Sequence, residues 1–202
     1  MKKIFFVLMS VLALLIGIYP IMYAFVELKY TFLSSKSPVL LYDITWKTAF
    51  FAHIIFGGIS LFIGWRQFGN SFREKHMKLH QLIGKIYVGS VTISSVSAIY
   101  MGFYANGGMI SAAGFICLGI IWLFTTFLGV IQIQKGQILK HQQLMTYSYA
   151  CTFAAVTLRL WYPLLQSLTK DPSGSYTAVA WLCWVPNLLA AYCINQRKAA
   201  TT

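Results

Sequence analysis

The sequence predicts an all-α protein, a polytopic membrane helix bundle of about six transmembrane helices. Composition is the first reason: of 202 residues, 58% are hydrophobic and 10% charged, with a mean hydropathy of +0.67. Soluble globular domains carry about a quarter charged residues, so lipid must solvate most of this chain. Spacing is the second reason. Six predominantly apolar stretches recur, each near the ~20 residues that carry a helix across roughly 30 Å of hydrocarbon, and short connections between them use up nearly all of the sequence. A single membrane domain over residues 1–202 is expected, with no separate soluble domain.

The first stretch, Ile4 to Val26, follows Met1-Lys2-Lys3 much as a signal peptide would. Its apolar run continues past Pro20 and has no small-x-small cleavage site, so it reads as an uncleaved first span. The longest connection, Leu28 to Thr45, carries Ser34, Ser35, Ser37 and Pro38 and has room for a short interfacial helix before the second span, Trp46 to Arg66. The third span is Gln81 to Tyr104. A tight turn at Asn106-Gly107-Gly108 leads into the fourth, Met109 to Ile133. The fifth runs from Gln142 to Leu168, and Asp171-Pro172-Ser173-Gly174 turns the chain into the sixth, Ala178 to Asn195.

The net charge of +12 would point a soluble protein toward nucleic acid, but here the basic residues segregate by side of the membrane. With six alternating spans, Lys2, Lys3, Arg66, Arg73, Lys75, Lys78, Lys85, Lys135, Lys140, Arg197 and Lys198 share one side. Lys29, Lys36, Lys47 and Lys170 share the other. The richer side is cytoplasmic by the positive-inside rule, which puts both termini in the cytoplasm. The expected partner is the lipid bilayer, a homo-oligomer is compatible with it, and no nucleic-acid partner is expected. Cys117, Cys151, Cys183 and Cys193 all lie in hydrophobic segments without a CxxC pair, which indicates neither a disulfide framework nor a zinc knuckle.

Residues separated by alternating steps of four and three share a helix face. On that spacing the second span aligns His53, Gly57, Ser60, Gly64 and Gln67. The third aligns His80, Gly84, Tyr87, Val91, Ser94, Ala98 and Met101, and the fifth His141, Met145, Ser148, Thr152, Ala155 and Arg159. His141 and Arg159, eighteen residues apart, are expected to point the same way about five turns, roughly 27 Å, apart. Polar residues within spans face a bundle interior or a wet cavity, so three polar seams are expected to turn inward. His80 and His141 fall near the cytoplasmic side, with His76 one turn before His80. His53 and Arg159 fall near the outer side. A short similarity pairs Gly64, a basic loop and His80-Gln81 with Gly129, a basic loop and His141-Gln142, which would be a parallel repeat of two hairpins.

Each of these residues has a chemical reading and a bland one. Neutral imidazoles at matched depth are what axial ligation of haem b requires, which nominates His80 and His141 as iron ligands, with Lys78, Lys85 and Lys140 near enough to meet propionates. The bland reading is that both mark the basic ends of their helices. His53 is either part of a ligand site or interhelical hydrogen-bonding glue. The pair His76 and His80 has a spacing that suits a metal, but two ligands in a lysine-rich loop form a sparse set. Arg159 has no carboxylate within any span, since Glu27, Asp43, Glu74 and Asp171 lie at span ends or in loops. Its partner is then a loop acid, a haem propionate, a lipid phosphate, a quinone oxygen or an anionic substrate, unless it snorkels to the interface.

Several of these residues also carry a resemblance. His53 with Gly57, Gly64 with Gln67-Phe68, the run His80 to Tyr87, Gly114-Phe115, Trp122, His141 through Met145, Tyr149-Ala150 and Thr157-Leu158-Arg159 together resemble an uncharacterised bacterial family of predicted multipass membrane proteins, classed as a domain of unknown function. The likeness covers roughly His53 to Pro163. It implies a helical membrane fold in the bacterial cytoplasmic membrane and no particular activity. A looser resemblance is to membrane b-type cytochromes of the ferric-reductase-like kind, which place paired histidines on adjacent helices at two depths. The outer side departs from that pattern, because only His53 is available there and a second ligand would have to be a residue such as Met101. At most one bis-histidine haem fits.

The leading expectation is therefore a redox-related membrane protein that binds haem b or a quinone among the second, third and fifth spans, through His80, His141, His53, Arg159, Gln67, Tyr87 and Met145. The alternatives are a small transporter with an exterior anion site at Arg159 and His53, or a non-catalytic assembly or scaffold protein. Only modest helix interruptions, at Pro20, Pro163 and Pro186, speak for the transporter.

Overall fold

A computed structural model describes residues 2–27 and 31–199, without the side chains of Lys2, Lys3, Phe5, Asn70, Ser71, Lys198 and Ala199. Lys29, assigned above to the outer loop, lies outside the described residues, as do the side chains of Lys2, Lys3 and Lys198. The chain divides into two compact units, Met1–Met101 and Gly102–Thr202. The described secondary structure is entirely helical.

In the first unit, α1 (Lys2–Ile18) yields to a 3-10 turn over Tyr19–Ala24, because Pro20 disfavours the α conformation at the residue before it. A second 3-10 turn, Phe32–Ser35, is capped by the Thr31 hydroxyl. The short α2 (Pro38–Tyr42) starts under a Ser37 cap with proline at its first position, where a missing N–H costs nothing. These two elements occupy the connection in which an interfacial helix was expected. Asp43 then caps α3 (Ile44–Gly64) by accepting from the Thr45 and Trp46 amides at 2.8 and 3.4 Å. After a 3-10 turn at Trp65–Phe68 and the short α4 (Asn70–Lys75), α5 (Met77–Gly102) completes the unit.

Helix α1 crosses α3 where two glycines meet. A Cβ on Gly58 would stand 2.8 Å from the Gly17 carbonyl, and one on Gly17 would stand 3.0 Å from the Phe62 Cβ. The two backbones touch there, which is how small residues allow close packing when lipid removes the hydrophobic drive between helices. At the other end of α3, Leu33, Trp46 and Phe50 form a buried cluster, covered by Tyr23, Leu40, Leu41, Phe51, Ile54, Tyr100 and Met101.

The first long helix of the second unit starts at Gly107 and Gly108, both with positive φ (80° and 75°), where glycine pays no steric cost. Helix α6 (Gly108–Gln134) is followed by α7 (Ile138–Thr152), α8 (Ala154–Thr169), α9 (Pro172–Leu182) and α10 (Val185–Ala199). Asp171 caps α9 through the Ser173 amide at 3.0 Å. Ala154, Val179, Cys183 and Trp184 form the buried cluster of this unit.

Among the described residues, five segments are long and apolar enough to cross a membrane: Phe6–Ala24, Ile44–Phe68, Met77–Gly102, Gly108–Gln134 and Pro172–Arg197. Their outer faces are apolar, with Leu15, Ile55, Val96, Phe124 and Leu189 all exposed, as helices in contact with a bilayer require. The fifth expected span, Gln142 to Leu168, differs from a single helix. It is built as α7 and α8, which meet at Phe153.

Candidate functional site

In the first unit the predicted face of α5 is buried: Tyr87, Val91 and Ser94 are at most 2% exposed. Opposite them on α3, Gly57 makes room, since a Cβ there would stand 3.0 Å from the Ser94 Oγ. His53 and Ser94 use that proximity to tie the two helices together. The Ser94 hydroxyl donates to the His53 carbonyl at 2.9 Å, while His53 Nδ1 lies 3.1 Å from the Ser94 carbonyl and 3.0 Å from its Oγ. A carbonyl oxygen only accepts, so Nδ1 carries the proton and donates to both oxygens. The interhelical bond considered for His53 from sequence is present.

His80 is half-buried at the start of α5, its amide donating to the His76 carbonyl at 2.9 Å. One turn on, a Cβ added to Gly84 would meet nothing within 4 Å, so open space adjoins His80. His76 is exposed and its ring packs 5.8 Å from that of Phe72. Among the described residues no three of His, Cys, Asp and Glu gather as a metal group would require. Gln67 is half-buried in the 3-10 turn after α3, and its side-chain Nε2 lacks a hydrogen-bond partner. The tighter turn removes Gln67 from the α-helical continuation of the His53 face.

In the second unit a polar seam joins α6 to α7 at three successive levels. The Trp122 indole donates to Thr152 Oγ1 at 2.9 Å, Thr126 and Ser148 hydroxyls lie 2.6 Å apart, and His141 Nδ1 lies 2.8 Å from the Gly129 carbonyl. Gly129 permits the approach, because a Cβ there would come 2.8 Å from Met145 Sδ. The part of the predicted seam from His141 to Thr152 lies against α6, and its hydroxyls are satisfied within the hairpin. By the carbonyl argument used for His53, His141 is protonated at Nδ1. In the neutral ring this leaves the lone pair on Nε2.

Arg159 lies on α8, beyond the break at Phe153, and its Nη1 donates to the Ala155 carbonyl one turn back at 2.8 Å. Next to the break is a cluster the sequence reading missed. Asn187 Nδ2 donates to the Ala150 carbonyl (3.2 Å), the Cys183 carbonyl (2.9 Å) and Thr157 Oγ1 (3.1 Å), and the Thr157 hydroxyl reaches the Cys183 carbonyl. An asparagine in the last span was the available signal, since a buried amide in lipid must find partners. Of the predicted site residues, the first unit holds His53, Gln67, His80 and Tyr87, and the second holds His141, Met145 and Arg159.

Long apolar helices, lipid-facing exteriors and polar seams turned inward define a polytopic helical membrane protein. The chain belongs to the family described as "predicted membrane protein (DUF2306)", whose model matches residues 50–194. No curated protein matches, and no solved structure does.

Proposed function

We propose that this is a redox-related protein of the bacterial cytoplasmic membrane, with both termini in the cytoplasm, that binds haem b or a quinone through His141. The observation behind this reading is the contact between His141 and the Gly129 carbonyl. The Gly129 carbonyl, 2.8 Å from Nδ1, accepts the ring N–H there and, in the neutral imidazole, leaves the lone pair on Nε2, and a backbone carbonyl in that position is the usual support of a ligating histidine. Haem iron takes such a lone pair as an axial ligand, and a quinol hydroxyl donates to one. Met145, one turn away, contributes a polarizable apolar wall, and the exposed Lys135 and Lys140 supply cations for propionates. In the first unit, His80 beside the open space at Gly84 supports the same role independently. Bound haem would supply one-electron chemistry, while the protein residues hold, orient and electrostatically support it.

An optical spectrum of detergent-purified protein tests the haem form. A Soret band is expected, lost in His141→Ala and altered in His80→Ala. Protein that has no band and takes up no added haem eliminates that form. The quinone form then predicts a rise in melting temperature with a short-chain quinone that His141→Ala abolishes, and absence of that rise ends the proposal.

A further inference from the structure

A pocket of about 310 Å3 lies in the first unit, lined by Leu33, Pro38, Leu41, Tyr42, Trp46, Lys47 and Phe51. That volume is at the small end of the range for small-molecule sites, roughly 300–1,000 Å3. Most of its wall is aliphatic or aromatic. Its buried and half-buried polar groups are hydrogen-bond donors. Trp46 is 1% exposed, and its indole N–H has no hydrogen-bond partner. An indole can only donate, and a buried donor left unpaired is uncommon enough to need an explanation. Lys47 is half-buried, and among the described residues its ammonium has neither an ion pair nor a hydrogen bond. The neighbouring acid, Asp43, is engaged in capping α3 through the Thr45 and Trp46 amides. On the same stretch of chain, Val39, Tyr42 and Ile44 are 83, 87 and 73% exposed, a surface that belongs in a lipid layer rather than in water.

From these observations we infer that the pocket binds a single-chain anionic amphiphile drawn from the bilayer. The apolar part lies against Leu33, Leu41 and Phe51, carboxylate or phosphate oxygens accept from Lys47 Nζ, and a small shift of the buried Trp46 ring brings its Nε1–H to the same oxygens. Two donors without a hydrogen-bond partner select an oxygen-rich anionic head, and the apolar wall selects a chain. The assignment rests neither on His141 nor on a redox role.

Quenching of tryptophan emission by brominated lipids tests the assignment on the detergent-purified full chain. The probes are 9,10-dibromostearate, the corresponding dibromo-alkyl phosphate and the dibromo-alcohol. Saturable quenching by at least one of the two anions is expected, about tenfold tighter than by the alcohol, and the tighter anion identifies the head group. Lys47→Gln should weaken that binding about tenfold while Lys47→Arg keeps it. Trp46→Phe, which preserves the ring stacked 5.5 Å from Phe50, should remove the quenched component. Equal binding of the alcohol, undiminished binding by Lys47→Gln, or quenching that survives Trp46→Phe overturns the assignment. If Trp46→Phe does not fold, the two Lys47 variants decide the question.

Discussion

Lys36 shows how far a single residue can depart from its ordinary chemistry. Its Nζ lies 5.3 Å from the Phe32 ring centroid, in the half-buried connection before α2, and burial pulls its pKa down from 10.5 to about 8. The aromatic face favours the cation, but less than lost hydration disfavours it. The folded-state pKa is below the unfolded one, so between about pH 8 and 10.5 the folded chain holds fewer protons. Stability contributed by this group therefore rises with pH across that window, and the burial penalty is fully present below it. The side chain is partly solvated, so the effect on stability is small, and reactivity is the better measurement. At pH 8 roughly half of the Lys36 amines should be neutral, against under about 1% for an ordinary lysine. Limited acylation followed by peptide mapping should give a Lys36 rate that levels off above about pH 8, while a model lysine amide keeps accelerating. Identical pH profiles for the two would refute the lowered pKa. His53 and Arg159 were legible in the sequence only as residues needing partners. The partners proved to be Ser94 across α3 and α5, and the Ala155 carbonyl on Arg159's own helix. A hydroxyl and a backbone carbonyl carry no sequence signal of their own, which is why neither pairing could be read beforehand.

Helix breaks occur at two places in the second unit, and they are joined. α7 gives way to α8 at Phe153, and α9 to α10 at Cys183 and Trp184. Each break frees carbonyls that lipid cannot satisfy. Asn187 serves both, with its amide on Ala150 O and Cys183 O, and Thr157 adds its hydroxyl to the second. Interhelical side-chain bonds in membranes average about 0.6 kcal/mol with a maximum near 1.7. Because one amide serves several acceptors, Asn187→Leu should cost about 1–2 kcal/mol, and Thr157→Val about half as much. Thermal unfolding in detergent reads both values, and an Asn187→Leu variant as stable as the parent would show that the breaks do not depend on this bond. The break near Cys183 was legible, because Pro186 sits in the first turn of α10, where proline begins a helix. The break at Phe153 was not. No glycine or proline marks it, and Pro163, which does interrupt the pattern, lies inside α8 and leaves that helix continuous. The α5 face was readable because burial repeats at helical spacing, from Tyr87 through Val91 to Ser94.

Whether the two termini share a side of the membrane depends on α7 and α8. The five long apolar segments alone are an odd number, which would place the termini on opposite sides. α7 and α8 have 15 and 16 residues, so end to end they reach about 45 Å at 1.5 Å per residue, more than the roughly 30 Å of hydrocarbon. Phe153 remains in the right-handed helical region at φ −69° and ψ −11°, so the chain bends there without reversing. Basic residues support a sixth crossing. Arg66, Arg73 and Lys75 between α3 and α5 with Lys78 in the first turn of α5, Lys135 between α6 and α7 with Lys140 in the first turn of α7, and Arg197 near the C-terminus come to one side only if α7 and α8 together cross. The experiment is cysteine accessibility in a background lacking Cys117, Cys151, Cys183 and Cys193. Lys36→Cys and Lys170→Cys should react with a membrane-impermeant maleimide in intact cells, whereas Lys135→Cys and Arg197→Cys should react only after permeabilisation. Labelling of Arg197→Cys in intact cells, with Lys135→Cys protected, would mean that α7 and α8 enter and leave on the same side. The hydroxyls of the α6–α7 seam would then line a re-entrant hairpin, and His141 would keep its side of the membrane while Arg159 moved to join it.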